Sequence, residues 1–520
     1  MTNPRRSGIL LHPTSLPGPH GSGDFGPAAY HFVDWLVTAG QRAWQVLPLT
    51  PIGPGNSPYA SVSAFAGSPL LVALEPLIDK RWIDAVDAAA GSRLPVDHVA
   101  FEHAVPWRMA RLREAASGYA QRASHEDRSA YAAFCAAEAG WLDDYALFMA
   151  LDGHYQQQGI WNWTAWETGC ARRDPAALAA ARRQWREEID FWCFVQWCFA
   201  TQWRALKRYA NERDVQLIGD LPIFVAHHSA DCWARPDLFL LDAQGEPRVV
   251  AGVPPDYFSA TGQRWGNPLY DWPAMQREGF AWWVARMRHE LARADVVRID
   301  HFRGFAAYWE IPASCATAIE GRWVPAPGAA LFEALKAALG ELPVIAEDLG
   351  VITPDVEALR DGCGFPGMKI LQFAFGGDAT HAFLPHNYPA HCAAYSGTHD
   401  NDTARGWYGA APDHERHFAT AYLDTDGTDI HWAMVRAICG SVAELAVYPM
   451  QDVLGLGTEH RMNTPGQLAC WAWRFGWEQV GAEPAQRLAR LAAAFGRAPF
   501  ERLPDTASAR RCVDTLPHGA

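Results

Sequence analysis

Eight short runs of β-branched and aliphatic residues recur along the chain, and each ends in polar residues, glycine or proline. Runs of this kind are typical of strands buried on both faces of a parallel sheet. Helical periodicity separates most of them, as in residues 27–39 and 330–339. The pattern therefore predicts an α/β fold, a (β/α)8 TIM barrel. The runs are SGILLHP (from Ser7), RAWQVLPLTP (Arg42), VQLIGDLPIFV (Val215), DVVRIDHFRG (Asp295), LPVIAEDLG (Leu342), GMKILQFAF (Gly367), HCAAYSGTHDN (His391) and SVAELAVYPMQD (Ser441).

Two long segments interrupt this alternation and predict insertions in the barrel. Most of residues 67–213 has a helical pattern, whereas residues 226–275 are rich in proline, glycine and aromatic residues and too irregular for a helix or a plain strand. A long loop in a compact protein is usually functional or disordered, and the aromatic content favours function. The predicted units are a barrel start (1–66), an inserted helical subdomain (67–213), the third strand (214–225), a loop-rich subdomain rimming the active site (226–275), the rest of the barrel (276–505) and a flexible tail (506–520).

Composition excludes several classes of protein. With 49% hydrophobic and 20% charged residues, the 520-residue chain has the composition of an ordinary globular protein. A formal net charge of −14 leaves no basic field for nucleic acid or anionic lipid, so neither partner is expected. The N-terminal apolar run GILL is too short for a signal peptide, and no stretch reaches membrane-spanning length. We therefore expect a cytoplasmic protein.

Cysteines and aromatic residues add weaker signals. The eleven cysteines include no C-x-x-C pair, which predicts reduced, mostly buried thiols. The 24 Trp, 24 Phe and 15 Tyr suit the apolar faces of sugars, although most of these rings must fill the core. Near-helical spacing over residues 191–203 favours core packing. Tyr59, Phe258, Trp265 and Phe365 lie in predicted loops, where we favour sugar contact.

Four predicted strands end in carboxylates, namely Asp220, Asp300, Glu347 and Asp400. Active sites of TIM barrels are assembled at the C-terminal ends of the strands. Any one of these carboxylates alone is equally well explained as a helix cap or a buried salt bridge. Four of them converging on one face favour a catalytic site.

Two carboxyl groups with different pKa values are what a retaining glycosidic reaction needs, one as nucleophile and one as general acid and base. Arg298 lies two residues before Asp300, on the same face of the strand, and its charge should keep Asp300 ionised as the nucleophile. Glu347 lies in an apolar run beside Asp348, and burial and like charge should raise its pKa, as the acid requires.

The third carboxylate, Asp400, follows His399 directly. It is suited to bind ring hydroxyls and to stabilise positive charge in an oxocarbenium-like transition state. His301 and His399 are expected to join it as hydroxyl donors.

Four motifs occur in order along the chain: GDLPIFV, RIDHFRG, AEDLG and GTHDND. With these motifs the chain resembles, over nearly its full length, the amylomaltases, which are 4-α-glucanotransferases of glycoside hydrolase family 77 in the α-amylase clan. HPTSLPGPHGSGDFG, GNSPY, GVPPDYFSATGQRWGNPLY and GTEHRMNTPG also look typical of this family.

The resemblance implies that Asp300, Glu347 and Asp400 are nucleophile, acid/base and transition-state stabiliser, and that no metal or cofactor is needed. It implies a maltodextrin or other α-1,4-glucan as donor and acceptor. The expected substrate-binding residues are Tyr59, Asp220, Asp256, Trp265, Arg298, His301, Phe365, His399 and Asn463.

Two local patterns are set aside. GSGDFG, at residues 21–26, fits a dinucleotide-binding pattern but lacks the tight turn after a strand. His227, His228 and Asp231 could suggest a metal, but no second group shows zinc-like spacing, so a turn or cap is favoured.

Transfer and hydrolysis share one glycosyl-enzyme intermediate and differ in whether a sugar hydroxyl or water reaches it first. We favour transfer of a glucan segment to the 4-hydroxyl of an acceptor, because the GVPPDYFSATGQRWG loop and the GFPG segment are suited to bind an acceptor and exclude water. An α-1,4-glucan hydrolase is the alternative. A non-catalytic glucan-binding barrel is disfavoured because all three catalytic carboxylates are present.

Overall fold

The computed structural model describes residues 5–85, 93–255, 259–468 and 470–498. Twelve strands occur in the described chain, and eight of them close into a parallel barrel. The strands are β1 (Arg6–Leu10), β2 (Ala43–Gln45), β3 (Gln216–Leu221), β4 (Val249–Val253), β5 (Gln263–Pro268), β6 (Val296–Ile299), β7 (Ala307–Pro312), β8 (Arg322–Pro325), β9 (Val344–Ala346), β10 (Gly367–Ile370), β11 (Cys392–Tyr395) and β12 (Leu445–Pro449).

The barrel order is β1-β2-β3-β6-β9-β10-β11-β12, with β12 returning to β1. All eight predicted strands are confirmed, and each falls within its predicted run except β1, which begins one residue earlier, at Arg6. The pairing register sets Asp220 of β3 beside Arg298 of β6, and Ile299 of β6 beside Ala346 of β9. The residues that follow Ile299 and Ala346 are Asp300 and Glu347, so adjacent strands deliver both carboxyl groups to the same mouth of the barrel.

A second, four-stranded antiparallel sheet corrects one prediction. Its order is β5-β4-β7-β8, so two of its strands come from residues 226–275, which we expected to form no plain strand. β5 contains Gly266 and Pro268 and exposes three residues in succession, so it has no alternating apolar pattern. Its partner β4 pairs with β7, almost sixty residues further along the chain. Pairing of that kind is decided by tertiary contact rather than by local sequence.

Helices cover the barrel and fill most of the segment between β2 and β3. They are α1 (Pro27–Thr38), α2 (Glu75–Asp79), α3 (Phe101–Arg122), α4 (His125–Gln156), α5 (Thr168–Ala171), α6 (Pro175–Gln184), α7 (Arg186–Asn211), α8 (Ala230–Ala234), α9 (Trp272–Arg277), α10 (Ala281–Arg293), α11 (Gly328–Leu339), α12 (Pro354–Cys363), α13 (Ala404–Ala410), α14 (Asp413–Leu423), α15 (Ile430–Gly440), α16 (Met450–Leu454), α17 (Trp477–Val480) and α18 (Glu483–Ala494). No described helix has the length and apolar character required to cross a bilayer.

The helix α7 has two roles. Its N-terminal half packs along α4 within the predicted helical subdomain, and its C-terminal half packs on α1 and precedes β3. Its aromatic face is buried, with Phe199 at 0% and Trp203 at 3% exposure, as expected for core packing. The predicted unit 67–213 therefore includes a helix that also covers the barrel. The predicted tail, 506–520, lies outside the described residues.

Two glutamines of α7 bind the backbone of the segment that follows the loop carrying Tyr59. Gln196 accepts a hydrogen bond from the Gly67 N–H (2.7 Å) and donates one to its carbonyl oxygen (2.9 Å). Gln202 does the same with Ala73, at 2.7 and 3.0 Å. Buried backbone groups require such partners, so α7 fixes the path of this segment.

We predict that Gln196→Leu destabilises the fold by about 2–4 kcal/mol, because it leaves the Gly67 N–H and C=O buried without partners. The shift in the midpoint of denaturant-induced unfolding measures this loss. Gln184→Leu, at an exposed position of α6, is the control and should change stability by less than about 0.5 kcal/mol. Equal midpoints for the two variants would contradict the role assigned to Gln196.

Candidate active site

The four carboxylates predicted from the strand ends meet at the C-terminal mouth of the barrel, where Arg298 binds two of them. Its guanidinium donates from Nη1 to both oxygens of Asp220, at 2.7 and 2.8 Å, and from Nη2 to Asp300 Oδ1, at 3.0 Å. The Arg298 side chain is buried, so these charge-assisted bonds are shielded from water. One cation therefore positions two carboxylates on neighbouring strands.

Asp220 and Asp300 differ in their access to solvent. The Asp220 side chain is 0% exposed, and its Oδ2 also accepts a hydrogen bond from the Tyr59 hydroxyl at 2.7 Å. The Asp300 side chain is 29% exposed. The buried Asp220 carboxylate therefore holds Arg298 and Tyr59 in place, and its direct contact with the sugar stays a prediction.

Burial raises the pKa of Asp300 to about 6, against the lowering effect of Arg298, and the charges of Asp220 and Asp400 add to the rise. Asp300 is thus ionised at neutral pH, as predicted, although burial shifts its pKa further than the pairing with Arg298 suggested. A partly accessible, ionised carboxylate is what a nucleophile requires.

Glu347 is held by the turn that follows β6. His301 adopts a left-handed backbone conformation, with φ of 52°, and its N–H donates to Glu347 Oε2 at 2.6 Å. Burial raises the pKa of Glu347 well above its usual range, against the opposing effect of Arg298, and the charge of Asp300 raises it further. Glu347 is therefore the carboxyl group of this site that retains a proton, as the sequence predicted.

Asp348, next to Glu347, faces away from the mouth. It binds the Arg360 guanidinium and accepts a hydrogen bond from the Met368 N–H at 2.7 Å. It adds to the negative charge around Glu347 without sharing its position.

Asp400 is fixed from two sides. Asn463 donates from Nδ2 to Asp400 Oδ1 at 2.6 Å, and the Arg461 guanidinium donates to the Asp400 carbonyl oxygen at 2.9 Å. His399 Nε2 lies 3.4 Å from the same Oδ1. The Asp400 side chain is 44% exposed, so it can still reach a ligand. Asn463 therefore lies beside Asp400, and its predicted contact with the substrate stays a prediction.

An aromatic wall joins Asp400 to Asp220. The rings of Tyr59 and His399 are stacked, with centroids 5.2 Å apart, and Trp471 lies 5.6 Å from Tyr59. Two pockets adjoin this wall, the first bounded by His399 and the second by Tyr59 and Asp220, and neither is lined by Asp300, Glu347 or Asp400. Tyr59 and His399 thus belong to one surface, although the sequence separates them widely.

The Trp265 ring packs against His301, which follows Asp300, in an edge-to-face contact with ring centroids 4.8 Å apart. Trp265 is 38% exposed, and an exposed indole at this position suits a sugar face. His301 Nε2 is buried without a hydrogen-bond partner, and burial lowers the pKa of the ring to about 3. A neutral imidazole can therefore offer a hydrogen bond to a ligand hydroxyl. Asp256 and Phe258, also predicted here, lie outside the described residues.

The prediction that Phe365 contacts sugar is wrong. Its ring is 3% exposed and packs against Phe302 and Phe332, with centroid distances of 6.1 and 5.3 Å. The loop position suggested exposure, but the ring turns into the layer beneath the barrel mouth.

His12 is a polar residue near His399 that the sequence analysis did not predict. It follows β1, is 7% exposed and has no partner for Nδ1. Burial lowers its pKa to about 3, with a further contribution from His399. His12 lies at the end of a barrel strand, as the carboxylates do, so the rule that barrel sites form at strand ends predicts it once all polar residues are included.

Two polar clusters outside the mouth do not require a metal. Ligand atoms of His20, Asp24 and Glu75 lie within 4.8 Å of one another, but Arg108 already pairs with Asp24 at 3.0 Å. The residues His227, His228 and Asp231, which could suggest a metal from the sequence, have separate partners. His228 binds Asp152, and Asp231 accepts a hydrogen bond from the Ala64 N–H. A structural role explains both clusters.

A (β/α)8 barrel with an ionised and a protonated carboxyl group on neighbouring strand ends defines a barrel enzyme that acts on glycosidic bonds. Comparison with known proteins defines the family. The model of glycoside hydrolase family 77, described as 4-alpha-glucanotransferase, matches residues 11–478. The chain belongs to this family, and it is a transferase that moves α-1,4-glucan segments rather than a hydrolase.

The similarity to individual relatives extends over nearly the full length of those proteins. The 4-alpha-glucanotransferase of Thermus thermophilus is 51% identical over 506 residues, covering 96% of this chain and 100% of that protein. That of Synechocystis is 45% identical, covering 96% and 99%. The structure of amylomaltase from Streptococcus agalactiae, in complex with acarbose, superposes with a TM-score of 0.91 at 37% identity, covering 95% of this chain and 100% of that one.

We predict a bell-shaped pH dependence of kcat/KM. Activity should fall as pH drops through about 6, because Asp300 becomes protonated, and should fall at high pH, where Glu347 loses its proton. Initial rates with a maltodextrin measure the profile, and thermal unfolding at the same pH values separates titration from denaturation. Full activity at pH 4 in the folded enzyme would contradict the assignment.

Proposed function

We propose that the glucanotransferase reaction proceeds by retaining double displacement at Asp300, Glu347 and Asp400. The observation that supports this most directly is the different environment of two carboxyl groups on neighbouring strand ends: Asp300 is paired with Arg298 and partly exposed, whereas burial raises the pKa of Glu347 well above its usual range. Retention of configuration requires this pair.

In the first step, Asp300 attacks the anomeric carbon of the donor while Glu347 gives its proton to the departing glycosidic oxygen. Positive charge grows on the sugar ring at the transition state. Asp400, held by Asn463 at 2.6 Å, lies ready to stabilise that charge and to accept ring hydroxyls.

In the second step, Glu347 acts as the base. It takes the proton from the 4-hydroxyl of an acceptor, whose oxygen attacks the anomeric carbon while the bond from that carbon to Asp300 breaks and frees the carboxylate. The like charge of a free Asp300 raises the pKa of Glu347, so forming the ester at Asp300 should lower it again. The same side chain can then serve as acid before the ester forms and as base afterwards.

The substrate is proposed to be a maltodextrin or another α-1,4-glucan, as both donor and acceptor. The family is one of glucanotransferases, and the amylomaltase of Streptococcus agalactiae is known in complex with acarbose. Trp265, next to His301, and the wall of Tyr59 and His399 offer aromatic surface near Asp300 for successive sugars.

Activated donors should separate the roles of the two carboxyl groups. Fluoride leaves without protonation, so Glu347→Gln should still release fluoride from maltosyl fluoride in a burst, while transfer between maltodextrins falls more than about a thousandfold. Asp300→Asn should lose both reactions. A fluoride electrode follows the burst, and thermal unfolding checks each variant. Fluoride release by Asp300→Asn at the wild-type rate would exclude Asp300 as nucleophile.

Maltotriose alone should give glucose together with a ladder of longer oligomers, because each donor segment passes to the 4-hydroxyl of another molecule. Chromatography of the products with a reducing-end assay distinguishes the outcomes. Transfer conserves the number of reducing ends, whereas their increase without longer products would favour hydrolysis.

A further inference from the structure

Two cysteines face each other between the helices α4 and α7, far in sequence from the catalytic carboxylates. The helices run antiparallel: His154 near the end of α4 meets Trp185, just before α7, with ring centroids 4.6 Å apart. At the opposite end, the rings of Tyr131 and Trp197 are 5.7 Å apart.

This register brings two thiols together. Cys135 lies one turn after Tyr131, and Cys193 lies one turn before Trp197, so both fall on the facing sides of the antiparallel pair. The two side chains lie close enough to affect each other's ionisation. Cys135 is half-buried, Cys193 is 8% exposed, and neither is in a disulfide.

The environment makes the two thiols unequal. The hydrogen bond with Cys193 lowers the pKa of Cys135, against the effect of burial, and Tyr131 adds a second hydrogen bond that lowers it further. The same contact raises the pKa of Cys193, and burial adds to that rise. The more accessible thiol is therefore the one that ionises more readily, and thiolates are the reactive form.

We propose that Cys135 and Cys193 form a two-cysteine oxidation site, at which hydrogen peroxide converts the pair into a disulfide joining α4 to α7. The Cys135 thiolate attacks one peroxide oxygen, the O–O bond breaks, and the departing hydroxide takes a proton to become water. Cys135 is then a sulfenic acid.

Cys193 resolves this intermediate. Its sulfur attacks the Cys135 sulfur, the S–O bond breaks, and hydroxide leaves with the proton of Cys193 as a second water. Two thiols and one peroxide thus give one disulfide and two waters, with two electrons passing from the sulfurs to the peroxide.

The disulfide would close a long loop within the predicted helical subdomain, and a cross-link of that length restricts the unfolded chain. Cys193 also lies one turn before Gln196, which binds Gly67. Oxidation is therefore expected to stabilise α4, α7 and the segment that α7 holds.

Treatment of the full-length protein with a few equivalents of hydrogen peroxide tests the proposal. Free thiols are then alkylated, and the unreduced protein is digested and analysed by mass spectrometry. We expect a linked Cys135–Cys193 peptide in wild type and in the control Cys315→Ser, and its loss in Cys135→Ser and Cys193→Ser. The unfolding temperature of oxidised wild type should rise by about 3 °C and return with dithiothreitol.

Recovery of Cys193 in alkylated form beside Cys135 as a sulfinic or sulfonic acid would overturn the proposal, as would a disulfide between two chains. Serine at the buried position of Cys193 can impair folding. In that case wild type and Cys135→Ser, whose change is at a half-buried position, decide the result by the presence or absence of the linked peptide.

Discussion

A buried guanidinium shared between two carboxylates organises the mouth of this barrel. Arg298 binds Asp220 through both oxygens and Asp300 through one, and the Arg298 and Asp220 side chains are almost entirely removed from water. A buried charge without a partner would cost several kcal/mol, so each member of the triad requires the others. The parallel pairing of β3 with β6 sets Asp220 beside Arg298. The barrel fold therefore positions the charged groups of the site directly.

The division of labour between Asp300 and Glu347 follows from competition between burial and charge. Burial raises the pKa of both groups, but Asp300 bonds Arg298 directly, whereas Glu347 receives a single backbone N–H from His301. The pKa of Asp300 is consequently raised only to about 6, whereas that of Glu347 is raised well above its usual range. Neighbouring strands thus hold an ionised carboxylate and a carboxylic acid close together.

Sequence reasoning succeeded where local pattern and strand geometry determine the structure. Apolar runs predicted the eight barrel strands, and the rule that barrel sites form at strand ends predicted that Asp300, Glu347 and Asp400 lie at one mouth, whereas their catalytic roles stay a prediction. Sequence reasoning failed where contacts between distant segments determine the structure. The pairing of β4 with β7, the turn of Phe365 into the core and the complete burial of Asp220 depend on tertiary packing. The stacking of Tyr59 on His399 likewise joins positions that no local pattern relates.

The central claim is that Asp300 bonds covalently to the donor sugar, and trapping that bond tests it most directly. Glu347→Gln, treated briefly with maltosyl fluoride and quenched in acid, should accumulate the intermediate, because deglycosylation lacks its base. Peptide mass spectrometry should then find one maltosyl group on the peptide that contains Asp300, and none after the same treatment of Asp300→Asn. A sugar adduct on Asp220 or Asp400, or the same adduct in the Asp300 variant, would contradict this account.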